Sequence, residues 1–333
     1  MLIMHASLNL FVLNHLFIHA KSIFYNRKCS YTFKIMADKQ VKVALWGVPR
    51  TMSTVFTKCI SAIDGIEVYL ELYSYSKTAN GVFKSATGRD LPKNLEGNEA
   101  VYAEVVEVFK KETNSTLIPK RISCCEIKRD LETTKSRFVF IKEMAFTDYI
   151  LEYLPEGFKH VFLIREPTKV YTSFRKGLMA LGMFNLNEDD VDIIRDDKTQ
   201  IQPMSWYKEQ HQLWNYVKEN LDPNPIIIDA YDLARNPQGI LKRFCEAVGF
   251  PYSDNLLLWS PSHEFPENFV TAGENLFKSF SVMYKTAFSS THFMAPSVKG
   301  PLPRDQLTDD VIQCVEYSNP FYHEMYKERM QVS

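Results

Sequence analysis

The stretch Val41-Lys42-Val43-Ala44-Leu45-Trp46-Gly47-Val48-Pro49-Arg50-Thr51-Met52-Ser53-Thr54-Val55-Phe56-Thr57-Lys58-Cys59-Ile60 reads as a strand, a tight loop and the opening of a helix. A buried parallel strand shows as a near-continuous apolar run, and Gly47 and Pro49 supply the turn that ends this one. Thr51, Ser53 and Thr54 stand where the following helix needs caps. The first amides of a helix lack intrahelical partners and lie at the positive end of its dipole. The loop, with Arg50 beside it, therefore suits a phosphate or sulfate group. An ordinary capped turn is the alternative reading of these residues taken alone.

At 333 residues, with 45% hydrophobic and 24% charged residues, the chain can build one large α/β core. A formal net charge of -1 gives no global attraction to nucleic acid or an anionic membrane, so any anion site must be local. No Pro/Gly/Ser-rich linker divides the chain, which favours a single domain over residues 37–333 behind a leader or disordered extension, 1–36. The run Leu8 to Ile18 is broken by Asn9, Asn14 and His15 and is too short and polar to span a bilayer comfortably. Lys21, Arg27 and Lys28 follow that run rather than precede it, so a cytoplasmic location is expected. A signal or Golgi-type anchor within residues 1–20 is the alternative. The six cysteines include no Cys-x-x-Cys pair and suggest neither a zinc site nor a disulfide framework. Cys124-Cys125 reads as two ordinary thiols in a loop, with a redox-active pair as the other possibility.

Further strands are expected at 66–70, 138–141, 160–164 and 226–228, and helices at 98–111, 168–176, 188–195, 204–219 and 237–248; residues 84–97 read as loop. Strands alternating with helices imply right-handed crossovers and an α/β fold: a three-layer sandwich with a mostly parallel central sheet. Ligands of such sheets lie at the carboxyl ends of the strands. Arg50, Glu71, Lys142 and Arg165 each follow a strand end, so all four can face one crevice.

Pro49-Arg50-Thr51-Met52-Ser53-Thr54 resembles the phosphosulfate-binding loop of sulfotransferases that use 3'-phosphoadenosine 5'-phosphosulfate, where Pro-Arg-Ser-Gly-Ser/Thr-Thr is typical; here Met52 replaces the glycine. The Gly-Lys-Ser/Thr ending of nucleotide triphosphatase loops is missing, since Met52-Ser53 stands in place of Gly-Lys. Val161-Phe162-Leu163-Ile164-Arg165-Glu166-Pro167, with Ser173 eight positions after Arg165, resembles the family's second signature. A third segment, Ile226 to Leu233 followed by Asn236-Pro237 and Ile240 to Gly249, is similar to the family's strand, turn and following helix. The likeness covers residues 41 to about 250 and is vaguer beyond, where Lys285 to Phe293 is placed as a closing segment over the donor.

The resemblance implies a P-loop NTPase-like sulfotransferase fold and transfer of a sulfuryl group to a hydroxyl or amine of a small-molecule acceptor, with no metal. It implies that Arg50, Thr51, Met52, Ser53 and Thr54 cradle the phosphosulfate and that Arg165 and Ser173 hold the 3'-phosphate. Lys142 would reach the sulfuryl oxygens or the acceptor side. The family's histidine base is absent, because Lys142-Glu143-Met144 carries methionine at that position. Glu71, twenty-one positions after Arg50, is the candidate base and Glu143 the runner-up. Tyr231 either approaches the adenine or packs in the core. A small-molecule or nucleoside kinase and a non-catalytic nucleotide-binding homologue are the competing readings. The acceptor is expected to be set by loops at 74–97, 178–202 and 260–300. There Phe184, Trp259, Phe265, Phe269 and Phe277 line either an apolar pocket or a core.

Overall fold

Both faces of the Val41 run are apolar, and that places it mid-sheet: Val43 and Leu45 point to one side, Ala44 and Trp46 to the other, and all four are fully buried. The computed structural model describes residues 39–180, 191–196, 201–296 and 299–332. Its elements in chain order are β1 (Val41–Gly47), α1 (Ser53–Ile60), β2 (Ile66–Leu70), α2 (Leu72–Thr87), α3 (Glu99–Thr113), β3 (Thr116–Leu117), α4 (Cys124–Thr133), β4 (Phe138–Met144), α5 (Thr147–Ile150), β5 (Lys159–Ile164), α6 (Pro167–Ala180), α7 (Trp206–Asn220), β6 (Ile226–Asp229), α8 (Ala230–Arg235), α9 (Pro237–Val248), β7 (Phe269–Thr271), β8 (Gly273–Glu274), α10 (Leu276–Ser279), α11 (Ser281–Ser289) and α12 (Asp309–Lys327). The main sheet has the order β6-β5-β1-β4-β2-β7 with every neighbouring pair parallel, while β3 and β8 form a small antiparallel pair.

Each face of the sheet carries its own core. On one side Val43, Leu45, Phe140 and Leu163 pack against Phe56 of α1 and Leu241 and Phe244 of α9. The rings of Phe56 and Phe244 meet edge to face at 5.1 Å. On the other side Trp46, Ile141 and Phe162 pack with Phe83 of α2, Phe109 of α3, Tyr171 of α6 and Trp214 of α7. Fully burying one such aromatic stabilises by roughly 1.5–3 kcal/mol, so these two layers clamp the sheet between them. The result is the expected three-layer α/β sandwich.

Some local expectations are corrected. Residues 84–87, read as loop, close helix α2. Cys124 and Cys125, read as loop, open α4, where Cys124, Ile127 and Leu131 form the buried stripe at helical spacing. The helix expected over 188–195 falls partly outside the described residues, and Val191–Asp196 makes a turn rather than a helix. Helix α12 was not foreseen because Pro320 lies inside it and reads as a stop signal.

One histidine is built into the core beneath β1. Trp46 Nε1 donates to His160 Nδ1 at 2.9 Å with the rings stacked, and burial pushes the His160 imidazole down to about 4. In the unfolded chain it takes a proton near 6.5, so the unfolded state binds the extra proton between those values. Stability from this group is therefore present above about pH 6.5 and lost as pH falls toward 4. A His160→Gln variant, which keeps an acceptor for Trp46, should lose less stability than the parent over that window. The expected difference is on the order of a few kcal/mol, read from urea midpoints measured at pH 7, 6, 5 and 4.

Candidate active site

The sheet order β5-β1-β4-β2 sets four strand ends in a row. Gly47 pairs with Leu163 on one side and Met144 on the other, and Lys142 lies opposite Leu70. Arg165 after β5, the loop after β1, Lys142 near the end of β4 and Glu71 after β2 thus succeed one another along the rim. With strands about 4.8 Å apart, the row from Arg165 to Glu71 spans about 14 Å, close to the length of a nucleotide. A cavity of about 780 Å³ opens over this row, lined by Arg50, Met52, Ser53, Thr54, Glu71, Lys142, Arg165 and Ser173 among others. That volume lies within the usual range of ligand pockets, about 300–1,000 Å³.

The β5 end is cationic. Arg50 Nε donates to Ser173 Oγ at 3.1 Å and its Nη1 to the Met283 carbonyl at 3.3 Å, while Arg165 Nη1 donates to the Arg50 carbonyl at 2.7 Å. The Arg165 carbonyl accepts a hydrogen bond from the buried Tyr207 hydroxyl, which anchors the strand end. Among the described residues neither guanidinium is paired with a carboxylate. Burial disfavours the charged form of both arginines, and at Arg50 the like charge of Arg165 adds to it. Two half-buried cations held together without an anion make a site that an anion would relieve. Beside them Met52 takes the N-cap position of α1, and no side chain caps the helix, contrary to the capping role expected for Thr51, Ser53 and Thr54. Its first amides therefore face the cavity wall that Ser53 and Thr54 line.

The β2 end is a buried ion pair. Lys142 Nζ contacts Glu71 Oε1, and Tyr284 Oη donates to Glu71 Oε2 at 2.8 Å; Tyr284 Oη in turn lies 3.0 Å from Tyr75 Oη. Glu143 points to the opposite face of β4. Its carboxylate accepts from the Tyr73 and Ser74 amides and the Ser74 hydroxyl, which caps the start of α2. Burial raises Glu143 to about 7 against the lowering effect of those bonds. Its side chain is not part of the cavity wall, whereas that of Glu71 is.

Backbone strain concentrates at the same place. Arg50, Met52 and Glu71 all adopt positive φ, at 66°, 70° and 57°. Such conformations cost non-glycine residues roughly 1–2 kcal/mol each and persist where the surroundings enforce them, often at functional sites. Met52 occupies the left-handed position that a glycine would take freely. Met52→Gly is accordingly expected to unfold within about 1 kcal/mol of the parent, relief of strain offsetting lost packing, whereas the β-branched Met52→Val should cost about 1–2 kcal/mol in urea titration.

Of the sequence candidates, Arg50, Met52, Ser53, Thr54, Glu71, Lys142, Arg165 and Ser173 meet in the cavity. Thr51 does not reach it: its buried hydroxyl donates to the Val48 carbonyl at 2.9 Å and stiffens the loop from within. Tyr231 lines the cavity, with Lys169 Nζ 5.8 Å from its ring centre. Phe265, Phe269 and Phe277 are half-buried and pack on one another and on Phe288, and Trp259 packs on Phe293; none of the four lines the cavity over the rim, while Phe265 and Phe277 line a second, smaller one. Phe184 lies outside the described residues. Residues within 283–296 and 299–301 form one wall of the cavity, and Met283 and Tyr284 among them carry no sequence signal because no spacing links them to the loop more than two hundred positions earlier. Among the described residues no group of three or more His, Cys, Asp or Glu side chains is placed to hold a metal ion, and no helix is long and apolar enough to cross a membrane.

Comparison with known proteins bears on the second half of the chain most directly. Residues 215–329 match a family model described as a sulfotransferase domain. Branched-chain-amino-acid aminotransferase-like protein 2 of Arabidopsis thaliana is 25% identical over 256 residues, covering 75% of this chain and 36% of that protein. The chain thus spans about a third of the length of that relative. Among solved structures, the sulfotransferase domain of the Synechococcus PCC 7002 olefin synthase is 15% identical over 84% of this chain and 94% of its own, with a TM-score of 0.38. The mouse sulfotransferase SULT7A1 complexed with PAP is 11% identical over 88% and 86%, with a TM-score of 0.42. The matched segment runs from the end of α7 through β6, α8, α9, the cavity wall and α12 and includes the cavity residues Asp229, Tyr231, Met283 and Tyr284: over those residues the chain is similar to a sulfotransferase domain.

Proposed function

We propose that residues 37–333 act as one domain that transfers a sulfuryl group from 3'-phosphoadenosine 5'-phosphosulfate to a hydroxyl, or an amine, of a small molecule. The observation that carries this reading is that one cavity holds both an anion-seeking pole at β5 and a carboxylate at β2, about one nucleotide length apart. Arg165, Arg50 and Ser173 would hold the phosphate groups, and the uncapped amides of α1 would face the phosphosulfate. Lys142, next along the rim, would stabilise charge on the sulfuryl oxygens. Glu71 would accept the proton. In the transfer the acceptor oxygen bonds to sulfur, the bond from sulfur to the bridging phosphate oxygen breaks, and the electron pair leaves with adenosine 3',5'-bisphosphate.

Calorimetric titration with adenosine 3',5'-bisphosphate and, separately, with ATP and magnesium tests the donor. Binding of the bisphosphate in the micromolar range with ATP much weaker supports sulfuryl transfer. The reverse order, with a magnesium requirement, points to a kinase instead. Labelled donor offered to phenols, alcohols and amines then reports the acceptor class.

A further inference from the structure

We propose that Tyr284 is a positioning residue for Glu71, so that the base of the reaction is set by a helix from the far end of the chain; this rests on the sulfuryl-transfer reading above. Tyr284 is fully enclosed, with its Oη 2.8 Å from Glu71 Oε2 and 3.0 Å from Tyr75 Oη. Each tyrosine has one hydroxyl proton. An ionised carboxylate only accepts, so Tyr284 gives its proton to Glu71, and Tyr75 must then donate to Tyr284. Burial and the charge of Glu71 push the Tyr284 hydroxyl up, which keeps it a neutral donor. The relay Tyr75 to Tyr284 to Glu71 fixes one carboxylate oxygen while Lys142 fixes the other.

Each oxygen retains a second lone pair, and that is where the acceptor hydroxyl proton goes as its oxygen bonds to sulfur and the bisphosphate departs with the electron pair. The neighbouring residue reinforces the arrangement: the Met283 carbonyl accepts from Arg50, so consecutive residues of α11 tie the cationic pole and the carboxylate to one rigid turn. Without the Tyr284 hydroxyl, Glu71 keeps its charge and Lys142 but loses the restraint that aims its free lone pair.

Misaiming a base harms acceptors in proportion to how much they need one. The test uses Tyr284→Phe with labelled donor and a series of substituted phenols from nitrophenol, largely ionised at pH 7.5, to methylphenol, which is not. The expected result is a loss in kcat that grows along the series, from about twofold for nitrophenol to about tenfold or more for methylphenol, with the Kd for adenosine 3',5'-bisphosphate unchanged. A uniform loss across the series, or a loss of bisphosphate affinity, makes Tyr284 a packing residue and overturns the proposal. Glu71→Gln run on the same phenols separates the two levels: if its losses do not grow along the series, Glu71 is not the base and the proposal falls with it. If they grow for Glu71→Gln and not for Tyr284→Phe, only the role of Tyr284 is lost. If the parent turns over no phenol, the same comparison is run on alcohols or amines graded in acidity, and turnover of none of the three classes removes both.

Discussion

Replacing Arg165 with alanine is expected to weaken adenosine 3',5'-bisphosphate binding by one to two orders of magnitude, on the scale of about 1.5–3 kcal/mol for a lost charge-assisted contact. Two effects add. The substitution removes one of the paired cations, and it removes the donor that holds the Arg50 carbonyl at 2.7 Å, so the strained loop loses its brace. Calorimetric titration of the variant against the bisphosphate measures the sum. Ser173→Ala separates the contributions, because it leaves both charges and the Arg50 brace and should cost less than Arg165→Ala. The fold should be little affected, since Tyr207 binds the backbone carbonyl at position 165 and not its side chain. An Arg165→Ala variant that binds the bisphosphate as the parent does would move the phosphate-binding pole elsewhere and undo the donor assignment.

The sequence exposed the site unevenly, for physical reasons that particular residues illustrate. Strands β1, β2, β4, β5 and β6 were legible because strands buried on both faces leave mainly apolar runs, broken by Lys42 in β1 and Glu67 in β2, and what directly follows those runs must lie on one rim; Arg50, Glu71, Lys142 and Arg165 came out of that logic. Chain direction decided between the two glutamates only in part. Glu71 directly follows β2 and Glu143 lies within β4; the left-handed backbone at Glu71 turns its carboxylate to Lys142, while the pleat of β4 sends Glu143 away from Lys142 to the start of α2, and neither is visible without the structure. The helix caps were misread because Met52, rather than a hydroxyl residue, takes the left-handed N-cap position. Tyr75 followed no motif, and Tyr284 lies in a region whose aromatic residues serve core and cavity alike. A relay of two hydroxyls across 209 positions leaves no local trace in a single sequence.

Replacing Glu71 with glutamine is expected to reduce turnover by a factor of about 10²–10⁴, the usual contribution of a positioned general base, while leaving bisphosphate affinity near that of the parent. The separation follows from the rim: Arg165, Arg50 and Ser173 gather at the β5 end, three strands from Glu71, so phosphate contacts do not involve the carboxylate. Glutamine keeps the shape and can still accept from Lys142, but the charge that compensates the buried ammonium is gone. Stability should fall as well, by an amount approaching the 3–5 kcal/mol typical when one member of a buried pair is removed. Turnover must therefore be measured on protein shown to be folded by bisphosphate binding. Glu71→Asp supplies the control: it retains the charge for Lys142 but withdraws the carboxylate by one methylene, away from both Tyr284 and the acceptor. A base requires position as well as charge, so this variant should recover most of the stability and little of the turnover. If Glu71→Asp restored both, or if Glu71→Gln remained within tenfold of the parent while folded, the carboxylate would serve only to hold Lys142, and proton removal would fall to solvent.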